Sequence, residues 1–139
     1  VDDSGYEIGF LLRRAHVRAS AAFKAALAPL GIDPRHFAVL HELVHAPHSQ
    51  RSLVDLIGSD KSAMVRLVDD LERAGLVSRQ VSVQDRRVQV ITLTDKGTTT
   101  LRAAEQSAAN VATGLTGHLP AADRQRLTEL LREFVAGPG

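Results

Sequence analysis

From Ile8 onward the apolar residues fall at helical intervals: Ile8, Leu11, Leu12, Ala15, Ala19, Ala22, Phe23, Ala26 and Leu27. Ser4 and Glu7 have the spacing of a capping box ahead of that run, so the pattern predicts one long first helix. Pro29 and Gly31 end it, and Asp33-Pro34 opens a second helix whose buried stripe is Phe37, Leu40 and Val44 and whose end is Ala46-Pro47. Ser49 caps a short third helix carrying Leu53, Leu56 and Ile57, closed by Gly58. A fourth opens at Ser59-Asp60 and runs to Ala74-Gly75, with Met64, Leu67, Val68 and Leu71 on its inner face. After Gly75 the period shortens. Val77, Val81 and Val83 mark one extended run and Val88, Val90 and Ile91 another, joined by the polar tip Gln84-Asp85-Arg86-Arg87. Thr94 caps a fifth helix reaching about Ala112, although Gly97 and Thr98-Thr99-Thr100 are weak helix formers in its first turns. Pro120 starts a sixth, with Leu127, Leu130, Leu131 and Phe134 as its stripe.

This order predicts an α+β, mainly helical fold. Residues 31–94 run helix, short helix, helix, hairpin, the sequence of elements in a winged helix-turn-helix, and residues 1–30 and 95–139 supply a helical layer. The long first and last helices carry more apolar surface than one small domain can cover, which predicts a dimerisation layer. At 100° per residue, Ser62, Arg66, Asp69 and Arg73 of the fourth helix point away from its core stripe, flanked by Lys61 and Val65. A helix entering a major groove needs that division, although a solvated amphipathic helix taken alone shows it too. Arg86 and Arg87 sit at the tip of the hairpin, where a narrow minor groove attracts arginine and where Asp85 can hold a guanidinium in a bidentate pair. Arg51 and Ser52, at the start of the third helix, are placed for phosphate contacts.

Composition narrows the chemistry. The chain has 139 residues, 44% hydrophobic and 24% charged, which is the balance of one globular domain. It has no cysteine, which excludes disulfides, thiol nucleophiles and thiol redox sensing. No apolar run is long enough to span a membrane. The start, Val1-Asp2-Asp3-Ser4, is acidic where a secretory leader is basic and lacks the initiator Met, so the expectation is a trimmed, cytoplasmic chain with no membrane partner. The formal charge of +1 announces no polyanion partner, but it averages unlike parts. Residues 6–30 carry +3, residues 78–90 carry +2 through Arg79, Arg86 and Arg87 against Asp85, and residues 95–139 cancel.

From Phe37 to Gly97 the chain resembles the MarR family of bacterial transcription regulators. The resemblance rests on Phe37-Ala38-Val39-Leu40, Asp60-Lys61-Ser62, Leu71-Glu72-Arg73-Ala74-Gly75-Leu76-Val77-Ser78-Arg79, Asp85-Arg86-Arg87 and Leu93-Thr94-Asp95-Lys96-Gly97. It implies a non-enzymatic repressor that binds double-stranded DNA as a homodimer on a pseudo-palindrome and is released by a small aromatic or phenolic anion. It requires no cofactor. The DNA-binding set expected from the residues and the resemblance is Arg51, Ser52, Lys61, Ser62, Val65, Arg66, Asp69, Arg79, Asp85, Arg86 and Arg87. Ala63 and Val65 stand where such proteins often carry hydroxyls, and thymine methyls are the natural partners of their side chains. For the effector, Arg13, Arg14 and His16 from the first helix and His41 from the second are expected to line a crevice between the layers, because a carboxylate suits a guanidinium or imidazole in an apolar cleft.

His41-Glu42-Leu43-Val44-His45 also matches H-E-x-x-H, the zinc-binding run of metalloprotease helices. Catalysis would need a third ligand and an open coordination position, so the metallohydrolase reading is the weakest; a regulatory metal on His41 and His45 is the alternative to ordinary histidines there. His36, His48 and His118 have no partner by spacing and are expected at the surface.

Overall fold

A computed structural model describes residues 4–139. Its elements in order are α1 (Ser4–Leu27), a single 3-10 turn (Ala28–Leu30), α2 (Pro34–Leu43), α3 (Gln50–Ile57), α4 (Lys61–Arg73), β1 (Val77–Val81), β2 (Gln89–Leu93), α5 (Asp95–Thr116) and α6 (Ala121–Ala136). The capping role expected of Ser4 lies outside the described side chains. None of the described helices is long and apolar enough to cross a membrane.

Local chemistry starts each helix of the winged domain. Asp33 caps α2 by accepting from the backbone N–H groups of Arg35 and His36, and its own N–H donates to His36 Nδ1 at 3.1 Å. Ser49 caps α3 and Asp60 caps α4, each accepting from the backbone N–H three residues on. The apolar faces of these helices meet in one core, where Val39, Leu40, Leu53, Met64, Val68, Leu71, Ile91 and Leu101 are closed to solvent. The fourth helix keeps the inner face read from its sequence. In α3 only Leu53 is buried; Leu56 faces outward and Val54 packs at the core edge instead.

α2 stops at Leu43, short of the expected Ala46-Pro47. Its chain must turn out early because His48 pairs with β2, donating to Ile91 O at 3.2 Å and accepting from Ile91 N at 2.7 Å. Pro47 helps, since the residue before a proline is disfavoured in helix. The hairpin is antiparallel, Val77 opposite Leu93 through Val81 opposite Gln89. It is shorter than the valine pattern predicts: Val83 is 100% exposed, and beyond Val81 only the Ser82 N–H to Val88 carbonyl bond extends the ribbon.

Two junctions lock the hairpin between its flanking helices. Gly75 adopts φ +76° after α4, and Leu76 N–H returns to Leu71 O at 2.9 Å, a left-handed helix stop that glycine tolerates best. At the other end Thr94 Oγ1 accepts from Gly97 N–H while donating to Gly75 O at 2.6 Å, and Lys96 Nζ donates to Ala74 O at 2.8 Å. Gly97 is therefore no weakness in α5. It is buried, and a Cβ there would overlap the Leu76 carbonyl, so the close approach of α5 to the α4–β1 turn requires glycine.

The helical layer is less complete. α5 packs on α1 and α2, and Arg18 Nη1 of α1 donates to Leu115 O of α5 at 3.1 Å. Among the described side chains of α1 only Leu27 is fully buried, while Tyr6, Ile8, Phe10, Leu11 and Val17 stand exposed. α6 buries none of its side chains, leaving Leu130 and Leu131 half-exposed and Phe134 61% exposed.

Candidate nucleic-acid interface

α4 presents its core stripe inward and exposes Lys61, Ser62 and Arg66 over its first two turns. These three side chains form no hydrogen bond or ion pair among the described residues, so their donors are available. Arg51, exposed on α3, lines a common depression with Gln50, Val54 and Lys61, which brings the first turns of α3 and α4 together. Ala63 and Val65 are half-buried and offer only methyl groups at the edge of this surface. Ser52 is placed differently from its expected phosphate role. It is half-buried, its hydroxyl lies 3.0 Å from His48 Nδ1, and its N–H bonds to Ser49 Oγ.

The wing tip is built by side chains rather than by strand pairing. Ser82 Oγ accepts from the N–H groups of Gln84 and Asp85, and Val88 N–H closes the turn on Asp85 O at 3.0 Å. Asp85 grips Arg87 bidentately, with Nε to Oδ1 at 3.1 Å and Nη2 to Oδ2 at 3.2 Å, and its Oδ1 also accepts Arg87 N–H. This is the pairing expected of Asp85 from the sequence. The Arg87 side chain, then its backbone N–H, hold the Asp85 carboxyl below the usual carboxylate range. An exposed pair of this kind adds little stability; its effect is to fix one guanidinium at the tip. Arg86 beside it is exposed and makes no such bond among the described residues.

Arg79 and Asp69, both expected at the DNA surface, instead bond to each other. Arg79 Nη2 donates to Asp69 Oδ1 at 2.6 Å and to Gln50 Oε1 at 3.2 Å, while Nη1 donates to Glu72 Oε1 at 2.7 Å. Its side chain is only 17% exposed. Two histidines read as surface residues also have structural partners. His36 joins the α2 cap to Asp70 of α4, with Nε2 3.1 Å from Asp70 Oδ2, and His48 makes the bridge to β2. Sequence spacing could not show Asp70 and Ile91, which lie 34 and 43 residues away, whereas the local partners, Asp33 three residues before His36 and Ser52 four after His48, were within its reach.

The four expected effector residues do not meet in one depression of the chain. Arg13 and Arg14 line a depression on α1 with Phe10, Val17 and Arg18, and His16 lies 3.4 Å from Ser20 Oγ. His41 belongs to another depression, of about 490 Å³, between α2 and α5, lined by Phe37, Val44, His45, Glu105 and Ala108. α2 ends at Leu43, so His45 of the H-E-x-x-H run lies two residues beyond the helix. The His41 and His45 rings meet edge to face at 6.2 Å, and no three His, Asp or Glu side chains among the described residues are gathered as a metal site.

A recognition helix with free donors beside an arginine-tipped wing is the geometry of a groove reader. The family model that matches residues 30–88 is that of the MarR family. The chain is 30% identical over 130 residues, 92% of its own length and 78% of the other's, to a protein assigned to transcriptional regulation of the hcr operon in Thauera aromatica. The transcriptional repressor CouR, solved on a 23-mer DNA duplex, superposes with a TM-score of 0.85 at 33% identity, covering 93% of this chain and 92% of that one. CouR from Rhodococcus jostii RHA1 bound to p-coumaroyl-CoA gives a TM-score of 0.81 at 30% identity, covering 99% and 94%. With the wing, the recognition helix and the flanking helical layer all matched in order, the chain belongs to the MarR family of transcriptional regulators.

Proposed function

We propose that this regulator is a sequence-specific repressor that binds double-stranded DNA as a homodimer and is released by a small aromatic effector. The observation that carries the reading is the set of free donors on α3, α4 and the wing: Arg51, Lys61, Ser62 and Arg66, with Arg86 and the Asp85-held Arg87 at the tip. Lys61, Ser62 and Arg66 read base edges and phosphates in the major groove, Val65 meets thymine methyls, and a wing arginine enters the adjacent minor groove.

The apolar residues left open on α1 and α6 support dimerisation through residues 1–30 and 95–139, with residues 31–94 as the reading domain. A two-fold dimer reads a two-fold operator. Selection of duplexes from a random pool should therefore enrich an inverted repeat with half-site centres roughly 34 Å, or about 10 base pairs, apart or a multiple of that. A pool that shows no enriched sequence after repeated rounds contradicts the proposal.

For the effector, the aromatic ring of an acid or of its coenzyme A thioester enters the depression between α2 and α5 beside Phe37 and His41, whose rings lie stacked at 6.4 Å, with the His41 and His45 imidazoles and not Glu105 facing the anionic end. Support comes from CouR carrying p-coumaroyl-CoA. A ligand that binds a dimer with misplaced recognition helices more tightly than the DNA-ready one lowers operator affinity by that difference. A protein that works on duplex DNA acts, on this reading, in the cytoplasm at the nucleoid.

A further inference from the structure

Arg79 joins three elements that must keep a fixed geometry to read DNA. It leaves β1, reaches Asp69 at 2.6 Å and Glu72 at 2.7 Å on α4, and touches Gln50 at 3.2 Å on α3. The guanidinium fork matches this arrangement, since its two terminal nitrogens donate in different directions to separate acceptors. Both carboxylates lie on the recognition helix itself, where an unpaired negative charge would face a polyanion. Side-chain exposure falls from 46% and 45% at the two carboxylates to 17% at the arginine, so the cation is the enclosed partner.

We propose that Arg79, with Asp69 and Glu72, is a positioning device and not a DNA contact. It fixes the angle between wing and recognition helix, and its single positive charge offsets part of the negative charge of two acidic residues on the DNA-facing helix. The proposal rests on the DNA-binding reading above. Its consequence has an unusual sign: removing negative charge from the recognition helix weakens specific binding. If Arg79 were a phosphate ligand restrained by these acids, removing them would release it and tighten binding to every duplex.

The test is the double variant Asp69→Ala/Glu72→Ala, with Arg79→Lys beside it, each measured by fluorescence anisotropy on the selected operator and on a scrambled duplex of equal length. The expected result for the double variant is operator affinity lower by on the order of tenfold, with binding to the scrambled duplex unchanged or tighter, because two repulsive charges are gone. Arg79→Lys keeps the charge but loses the fork, and is expected to weaken operator binding comparably. Thermal melts establish that both variants fold; the carboxylates are half-exposed, so the double variant keeps the test open if the lysine variant does not fold. A double variant that binds operator and scrambled duplex more tightly alike, or an Arg79→Lys variant with wild-type operator affinity, overturns the proposal. Failure of the wild-type protein to prefer any duplex would instead refute the function on which the proposal rests.

Discussion

Gly97→Ala sets two well-defined effects against each other. In an exposed helix the substitution should stabilise by about 1 kcal/mol, through helix propensity and a less disordered unfolded chain. At this position the new Cβ meets backbone: the Leu76 carbonyl oxygen and carbon, with Leu93 Cδ2 at 3.2 Å. Neither the carbonyl nor the turn that holds it can rotate away like the end of a side chain. α5 must move out, which stretches the Thr94 N–H to Leu76 O bond of 3.1 Å, the Thr94 Oγ1 to Gly75 O bond of 2.6 Å and the Lys96 Nζ to Ala74 O bond of 2.8 Å. Overpacking costs about 1–3 kcal/mol and each of the three weakened bonds up to about 0.5–1.5 kcal/mol, so the sum exceeds the propensity gain of about 1 kcal/mol and the net destabilisation is about 1.5–6.5 kcal/mol. Urea denaturation at one fixed protein concentration reads it directly, since any self-association adds to apparent stability as concentration rises. A Gly97→Ala variant as stable as wild type, or more stable, would refute the close-approach argument.

Further outcomes follow from the same contacts. Arg86→Ala should weaken operator binding by about 1–3 kcal/mol and flatten the dependence of log K on log salt by about one unit, measured by anisotropy across a salt series; unchanged affinity and slope would remove this side chain from the groove. Partial burial pushes the Asp33 carboxyl up, but hydrogen bonds from the Arg35 side chain and the His36 and Arg35 backbone, with the charge of His36, outweigh it and leave the pKa below its ordinary 3.8. The cap's stabilisation is thus present above that value and lost as pH falls through the lower folded pKa, so Asp33→Asn should flatten the acid limb of a stability-against-pH curve. An acid limb identical to wild type would contradict it. Phe134→Glu, at an apolar position left open on α6, should shift the protein from dimer to monomer in sedimentation and abolish operator binding with it; a dimer that persists with full affinity argues against α6 in the interface.

Patterns that depend on neighbours in sequence were legible without the structure. The caps at Asp33, Ser49 and Thr94, the inner face of α4 and the Asp85 grip on a wing arginine all concern residues within a few positions of each other, where spacing sets geometry. What spacing could not supply was every contact closed by folding. Arg79 looks like a free cation on a ribbon until α4 brings Asp69 and Glu72 beneath it, and His36 looks solvated until Asp70 arrives. Gly97 looks like a flaw in a helix because propensity is local, while the carbonyl it accommodates belongs to Leu76. The helix α2 and the hairpin both ended early for a related reason: apolar periodicity continues through Val44 and Val83, but the backbone leaves each element for His48 to pair with Ile91 and for Ser82 and Asp85 to build the tip.

The claim that α4 and the wing read DNA sequence is tested most directly by titrating the purified protein against the duplex upstream of its own gene and against a scrambled duplex. Wild type and Arg66→Ala are compared at physiological salt. Saturable binding of two protomers per site to the natural duplex is expected, roughly a thousandfold or more tighter than to the scrambled one, with that preference reduced by about 1–3 kcal/mol in Arg66→Ala. Equal affinity for both duplexes, or a preference untouched by Arg66→Ala, would contradict the claim.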